Sequence, residues 1–197
     1  MIKFLSLQIL KLFYFFHKKK ILNFLKEKKL DNFKIVFDVG AHKGETIELY
    51  LKHFNIQKIY SFEASYLSYN FLKNKIKNIN IKKNKTEIIV ENFALGSENK
   101  QVKIKHMNES SSSTINEINT ESKYFKKKNM LLLNSTKNNF YKEIFVEQMC
   151  LDQYMSQHKI YKLDFLKIDT EGYEFEILSG AKNKIKNIDL VLFEHHY

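Results

Sequence analysis

Short apolar runs recur along the chain from Phe33 onward, and segments with the period of a helix separate several of them. These runs are rich in β-branched and aromatic residues, and they occupy positions 33–39, 58–63, 86–94, 163–169 and 188–194. In the segments between them, apolar residues recur every three or four positions, as on one face of an amphipathic helix. Strands that alternate with helices build βαβ units. The pattern predicts an α/β fold with a mostly parallel sheet and helices on both faces.

The interval 97–150 departs from this alternation. The stretches QVKIKHM at 101–107 and EIFVEQM at 143–149 predict an added pair of strands. Between them lies a long polar segment that is rich in Ser, Asn and charged residues. Long polar insertions inside a compact domain are commonly functional loops. We therefore expect this segment to select the substrate.

The first 32 residues predict an amphipathic helical segment that precedes a single domain at 33–197. Lys3, Gln8 and Lys11 interrupt the apolar run, and the run is too short to span a bilayer. One interpretation is a helix that packs across the sheet edge or caps the site. The other is peripheral contact with a membrane through residues 1–30, where three lysines follow a group of aromatic residues.

The charge of the chain is +11, which suggests an anionic partner. All 33 basic residues are lysine, however, and proteins that read bases or hold phosphates depend strongly on the guanidinium of arginine. This composition argues against a nucleic-acid partner. The single cysteine, Cys150, excludes an intramolecular disulfide and predicts a reducing, cytoplasmic location.

The first strand ends in an acid and a glycine loop, DVGAHKG at 38–44. The loop lacks the middle glycine of the dinucleotide fingerprint G-x-G-x-x-G. A carboxylate at Asp38 would repel a pyrophosphate, whereas it would attract a cofactor with an ammonium and a sulfonium, such as S-adenosylmethionine. Glu63 ends the second strand, where doubly wound folds place an acid on the ribose hydroxyls. That position fits either a dinucleotide or S-adenosylmethionine.

Five stretches in this order, FDVGAHKGE, SFEAS, ENFALG, LDQYM and LDFLKIDTEGYEFEILSGA, resemble the FkbM family of S-adenosylmethionine-dependent methyltransferases. The resemblance runs from about residue 34 to 194, and KIDTEGYE at 167–174 is its most specific part. It implies a Rossmann-like class I fold and methyl transfer to oxygen, on a glycan or small-metabolite hydroxyl. Because such folds usually continue with a further helix and strands, we expect the sheet of this chain to be C-terminally incomplete.

The resemblance also implies which residues bind the cofactor. Asp38, Gly40, Ala41, His42 and Gly44 would line its methionine end, Glu63 would bind the ribose, and Asn92 with Ala94 would flank the adenine. Ala64, where the family usually has proline, belongs to the same set.

A hydroxyl that attacks a methyl group must lose its proton, which requires a nearby base. Asp169, Glu171 and Glu194 follow or end the last two predicted strands, and adjacent strands lie about 4.8 Å apart. These three are therefore the predicted catalytic carboxylates, and one of the terminal histidines, His195 or His196, is the alternative base. Their oxygens would also suit Mg²⁺, although no dedicated set of metal ligands is predicted.

The leading hypothesis is a methyltransferase that uses S-adenosylmethionine and modifies a hydroxyl oxygen. One alternative is an NAD-dependent oxidoreductase. The other is a non-catalytic remnant or fragment that acts as a binding module.

Overall fold

The computed structural model describes residues 18–80, 85–107 and 141–193. The described residues divide into two units, 18–31 in the first, and 32–80, 85–107 and 141–193 in the second. In the first unit, residues 18–27 are helical (α1). Among the described helices, none has the length and apolar character needed to cross a membrane. Membrane contact through residues 1–30 and the domain boundary after residue 32 stay predictions.

The second unit is built on a five-stranded sheet. Its strands are β1 (Asn32–Val39), β2 (Asn55–Phe62), β3 (Glu87–Glu91), β7 (Leu163–Ile168) and β8 (Ile188–Phe193). They lie in the order β3-β2-β1-β7-β8, and every neighbouring pair is parallel. Helices α2 (Glu45–His53) and α3 (Tyr66–Asn80) connect the first three strands, and α5 (Glu174–Ser179) lies between the last two.

The main core covers one face of this sheet. In β1, β2 and β7, alternate residues in register point to the same side, and α4 (Leu151–Gln157) and α5 pack against them. Tyr154 of α4 lies 4.8 Å from Phe62 between ring centroids, and Ile177 of α5 is fully buried in the same cluster. The strand residues of this face are Phe37, Val39, Tyr60, Phe62, Leu166 and Ile168.

The opposite face packs against α2. Tyr50 of α2 contacts Phe165 of β7, with ring centroids 5.4 Å apart. The ion pair between Lys75 of α3 and Glu48, at 2.8 Å, holds α3 beside α2. Helices therefore cover both faces of a parallel sheet, which confirms the predicted fold class.

A smaller, three-stranded sheet contains β4 (Ala94–Gly96), β5 (Lys100–Met107) and β6 (Tyr141–Cys150), in the order β4-β6-β5. β5 and β6 are antiparallel from Lys100 opposite Gln148 onward, so the predicted added pair of strands is confirmed. β4 pairs with β6 in parallel.

The prediction of one strand at 86–94 was wrong. The strand ends at Glu91, and the chain then leaves the main sheet so that Ala94 can pair with Gln148 of β6. The side-chain amide of Asn92 stabilises this exit by donating to the carbonyl of Glu63 at 2.8 Å. β2 also begins earlier than predicted, because Ile56 pairs with Phe33 in the sheet.

We expect Gly180→Ala to destabilise the second unit. A Cβ atom at this position would lie 2.0 Å from the carbonyl oxygen of Gly96, so the end of α5 or β4 would have to shift. Overpacking of this kind costs about 1–3 kcal/mol. Urea unfolding measures the change, and Ser179→Ala, one residue earlier, is the control. Equal free energies of unfolding for the two variants would contradict this packing.

Candidate functional site at the carboxyl edge of the sheet

The order of the strands reverses between β1 and β7. These two strands are neighbours in the sheet, although one comes from the first half of the chain and the other from the second half. In open α/β sheets, ligands bind at the carboxyl ends of the strands, at this kind of switch point. The loops that follow β1, β2 and β7 meet at this edge. The site is therefore built from the segments that begin at Gly40, Glu63 and Asp169.

The loop after β1 is held by backbone contacts with both neighbouring strands. The amides of Gly40 and Ala41 each donate to the carbonyl of Phe62 at 3.0 Å. Gly40 has a φ of 74°, and a Cβ atom there would lie 1.9 Å from the carbonyl oxygen of Asp169. Glycine is thus required at position 40 because the loop touches the backbone after β7.

Glu63 links the end of β2 to this loop. One carboxylate oxygen accepts from the amide of His42 at 2.7 Å, and the other accepts from the amide of Ser65 at 2.9 Å. His42 has a φ of 47°, an uncommon conformation for a residue with a side chain. Burial raises the pKa of the Glu63 carboxyl, whereas these two hydrogen bonds and the charge of Lys167 oppose the rise. Each oxygen keeps a second lone pair for a ligand.

Asn92 extends the same connection to the end of β3. Besides its bond to Glu63, its amide donates to the carbonyl of Ala64 at 3.2 Å. Ala64 and Asn92 therefore lie beside Glu63, and their role in cofactor binding stays a prediction. Ala94 is buried in β4 of the smaller sheet.

Asp38 is buried, whereas the sequence pattern predicts that its charge faces a cofactor. Its side chain is 1% exposed, and Oδ1 lies 2.9 Å from Nζ of Lys167 on β7. The contact is an ion pair without the angles of a hydrogen bond, and within the described residues neither Asp38 oxygen makes one. The interpretation needs correction because β1 is central and covered by α2, which leaves this face of Asp38 no access to water.

Lys167 also belongs to this edge, although it is not among the predicted site residues. Its ammonium contacts Asp38, lies 3.5 Å from Oδ2 of Asp169, and donates to the carbonyl of Gly40 at 3.3 Å. A lysine inside an otherwise apolar strand was the available signal. The cross-strand register that sets it opposite Asp38 could not be read from the sequence.

The predicted catalytic carboxylates have different positions. The Asp169 side chain is 27% exposed at the edge, beside Gly40. Glu171 is partly buried and has a φ of 53° in the turn after β7. Glu194 lies outside the described residues, as do His195 and His196.

Glu174 shapes the turn between β7 and α5. One of its oxygens accepts from the amide and hydroxyl of Thr170, at 3.0 and 3.1 Å, and from the amide of Gly172 at 3.1 Å. These hydrogen bonds show that Glu174 stabilises the turn, which accounts for an acidic residue at this position. Across the described ranges, no group of three or more His, Cys, Asp or Glu side chains could hold a metal ion. The predicted Mg²⁺ has no support from this part of the chain.

A parallel sheet in this strand order, with helices on both faces, defines a Rossmann-like α/β fold. A sequence model of the methyltransferase FkbM domain matches residues 38–197. The chain belongs to this methyltransferase family, which confirms the resemblance seen in the sequence.

One solved structure with similarity to the chain is the methyltransferase FkbM from Methylobacillus flagellatus KT, with 17% sequence identity and a TM-score of 0.45. The match covers 79% of this chain and 30% of that protein, so the chain spans less than a third of its length. No curated protein matches the chain.

We expect Glu45→Gln to reduce the loss of stability in acid. Burial raises the pKa of Glu45. The hydrogen bond with His42, a backbone hydrogen bond and the charges of His42 and Lys75 lower the pKa by more than this, so its value is about 2. A carboxyl whose pKa is lowered in the folded state stabilises the fold at pH values above its pKa in the unfolded chain, 4.5. This contribution disappears as the pH falls towards 2.

Urea unfolding between pH 4.5 and 2 tests this. The wild type should lose more free energy of unfolding than Glu45→Gln, by less than about 1 kcal/mol because the side chain is half-exposed. Glu147→Gln, on the exposed side of β6, controls for the removal of a carboxylate. Parallel pH profiles for wild type and Glu45→Gln would contradict the assignment.

Proposed function

We propose that the chain is an S-adenosylmethionine-dependent methyltransferase that modifies a hydroxyl oxygen of a glycan or small metabolite. The family supplies methyl transfer in general. The observation that carries a cofactor with a ribose is the arrangement of Glu63, whose carboxylate holds the loop at His42 and retains lone pairs for ribose hydroxyls.

The charge at this edge favours a cationic cofactor over a dinucleotide. Asp38 and Asp169 both lie near Lys167, and Glu63 is close enough for the charge of Lys167 to affect its pKa. The carboxylates of this group thus outnumber the ammonium. In addition, the first turn of α2 contains Glu45 and Glu48, which would repel a pyrophosphate at the start of that helix. An ammonium or sulfonium would be attracted instead.

The residues present fit the parts of S-adenosylmethionine. The loop from Gly40 to Gly44 would lie against its methionine end, Glu63 would accept from the ribose hydroxyls, and Asn92 would border the adenine. When bound, S-adenosylmethionine supplies a methyl group on a sulfonium. Every other requirement of the reaction falls to the chain itself: binding, orientation and removal of one proton.

Asp169 is the best candidate for the base. It is the more exposed of the two carboxylates that contact Lys167, at 27% against 1% for Asp38. A carboxylate that accepts a proton from a substrate must be reachable, and Asp38 is not. Asp169 would accept the proton that the acceptor hydroxyl loses when S-adenosylmethionine gives up its methyl group and leaves as S-adenosylhomocysteine. Glu171, in the following turn, is the alternative.

We expect Glu63→Gln to weaken binding of S-adenosylhomocysteine by about 1.5–3 kcal/mol. An amide has one acceptor oxygen, so it cannot accept from His42 and Ser65 and also bind a ribose. Calorimetry measures the affinity, and thermal unfolding checks that the variant is folded. Glu87→Gln, at the start of β3 and away from this edge, is the control. Unchanged affinity in a folded Glu63→Gln variant would place the ribose elsewhere, and binding of NAD instead would favour the oxidoreductase.

We expect Asp169→Asn to separate binding from chemistry. The affinity for S-adenosylhomocysteine should stay within about threefold, while methyl transfer should fall at least about 100-fold, because the amide cannot accept the proton. Transfer of labelled methyl groups from S-adenosylmethionine to a panel of glycans and hydroxylated metabolites measures the rate. An Asp169→Asn variant as active as the wild type would make Glu171 the candidate base.

A further inference from the structure

Lys167 occupies an unusual place for a charged side chain. It lies near the carboxyl end of β7 with 6% of its surface exposed, between the buried strand residues Leu166 and Ile168. Its side chain points to the face of the sheet that packs against α2, because it stands in register with Asp38. A buried ammonium is costly unless partners compensate it.

One carboxylate at the distance of Asp38 would already balance this charge. Lys167 nevertheless reaches two further groups at the edge, the carbonyl of Gly40 and the carboxylate of Asp169. These groups belong to two different segments, the loop after β1 and the turn after β7. The ammonium thus lies between the parts of the chain that the proposed function assigns to the cofactor and to the base.

The same two segments also touch through their backbones. The loop approaches the carbonyl of Asp169 so closely that position 40 tolerates no Cβ atom. The amide of Asp169 donates to the carbonyl of Val39 at 3.0 Å. A small shift of the loop relative to β7 would therefore change both the cofactor cradle and the direction of the Asp169 side chain, and Lys167 opposes such a shift.

We propose that Lys167 is a positioning residue of the methyltransferase site, whose ammonium fixes the glycine loop, through Gly40, relative to the carboxylate of Asp169. This inference rests on the proposed function. A positioning role can be distinguished from a purely stabilising ion pair. A buried ion pair can often be replaced by neutral side chains without loss of stability, whereas loss of a positioning contact weakens ligand binding. Stability and ligand binding should therefore respond differently when the pair is removed.

The test replaces both charges together. Asp38→Asn with Lys167→Met removes both charges of the buried pair, keeps the length of the first side chain and shortens the second by one atom. The control is Lys162→Met with Asp189→Asn. It removes an exposed ion pair of 2.8 Å at the amino ends of β7 and β8, away from the carboxyl edge. Thermal unfolding and calorimetry with S-adenosylhomocysteine are measured for the wild type and both double variants.

We expect the Asp38–Lys167 double variant to fold and to bind S-adenosylhomocysteine at least about tenfold more weakly, since the loop loses a charged donor. The control should bind like the wild type. An affinity within about twofold of the wild type in the folded Asp38–Lys167 double variant would overturn the role of Lys167. A wild-type chain that does not bind S-adenosylhomocysteine would instead contradict the proposed function, and the positioning role with it.

A second pair covers the case in which the first does not fold. Asp38→Asn with Lys167→Gln keeps polar groups at both positions, and the same limits on affinity apply. If neither pair folds, Lys167 is a structural residue and the proposal is wrong.

Discussion

Asp38 and Lys167 bring opposite charges into the interior of the sheet, 2.9 Å apart, where burial of either charge without the other would be costly. Their strands come from distant parts of the sequence, so the pair forms only when β1 and β7 are in the observed register. This requirement falls at the switch point, where the loops after β1 and β7 meet and a site can form. The pair therefore specifies an alignment that apolar side chains of similar size would leave less defined.

Glu63 applies a comparable constraint between β1 and β2. Its two oxygens take the amides of His42 and Ser65, one from each side of the carboxylate. His42 is thereby held in a left-handed conformation, which lets the loop turn without a third glycine. His42 thus stands where the dinucleotide pattern has its middle glycine, and the Glu63 carboxylate accepts from its amide. The loop is fixed from β2 by Glu63 and from β7 by Lys167.

The sequence predicted the architecture well because each strand of the main sheet is a compact apolar run with clear limits. It failed at 86–94, where the apolar pattern continues although the chain changes sheets, since the side-chain bonds of Asn92 have no signature in hydrophobicity. Asp38 was recognised as important but for the wrong contact. A carboxylate at the end of a strand looks the same in the sequence whether it faces solvent or a lysine on another strand.

The three carboxylates near Lys167 are chemically alike, and their surroundings give them different capacities. Asp38 is enclosed and matched by the ammonium, so it can order the sheet but cannot meet a substrate. Glu63 is buried and bound to backbone amides, so its remaining lone pairs can receive donors that approach along the loop. Asp169 shares the ammonium at 3.5 Å and is the one of the three with a partly exposed side chain. A proton acceptor and a binding carboxylate can thus coexist at one edge, because burial and hydrogen bonding, not residue type, separate their roles.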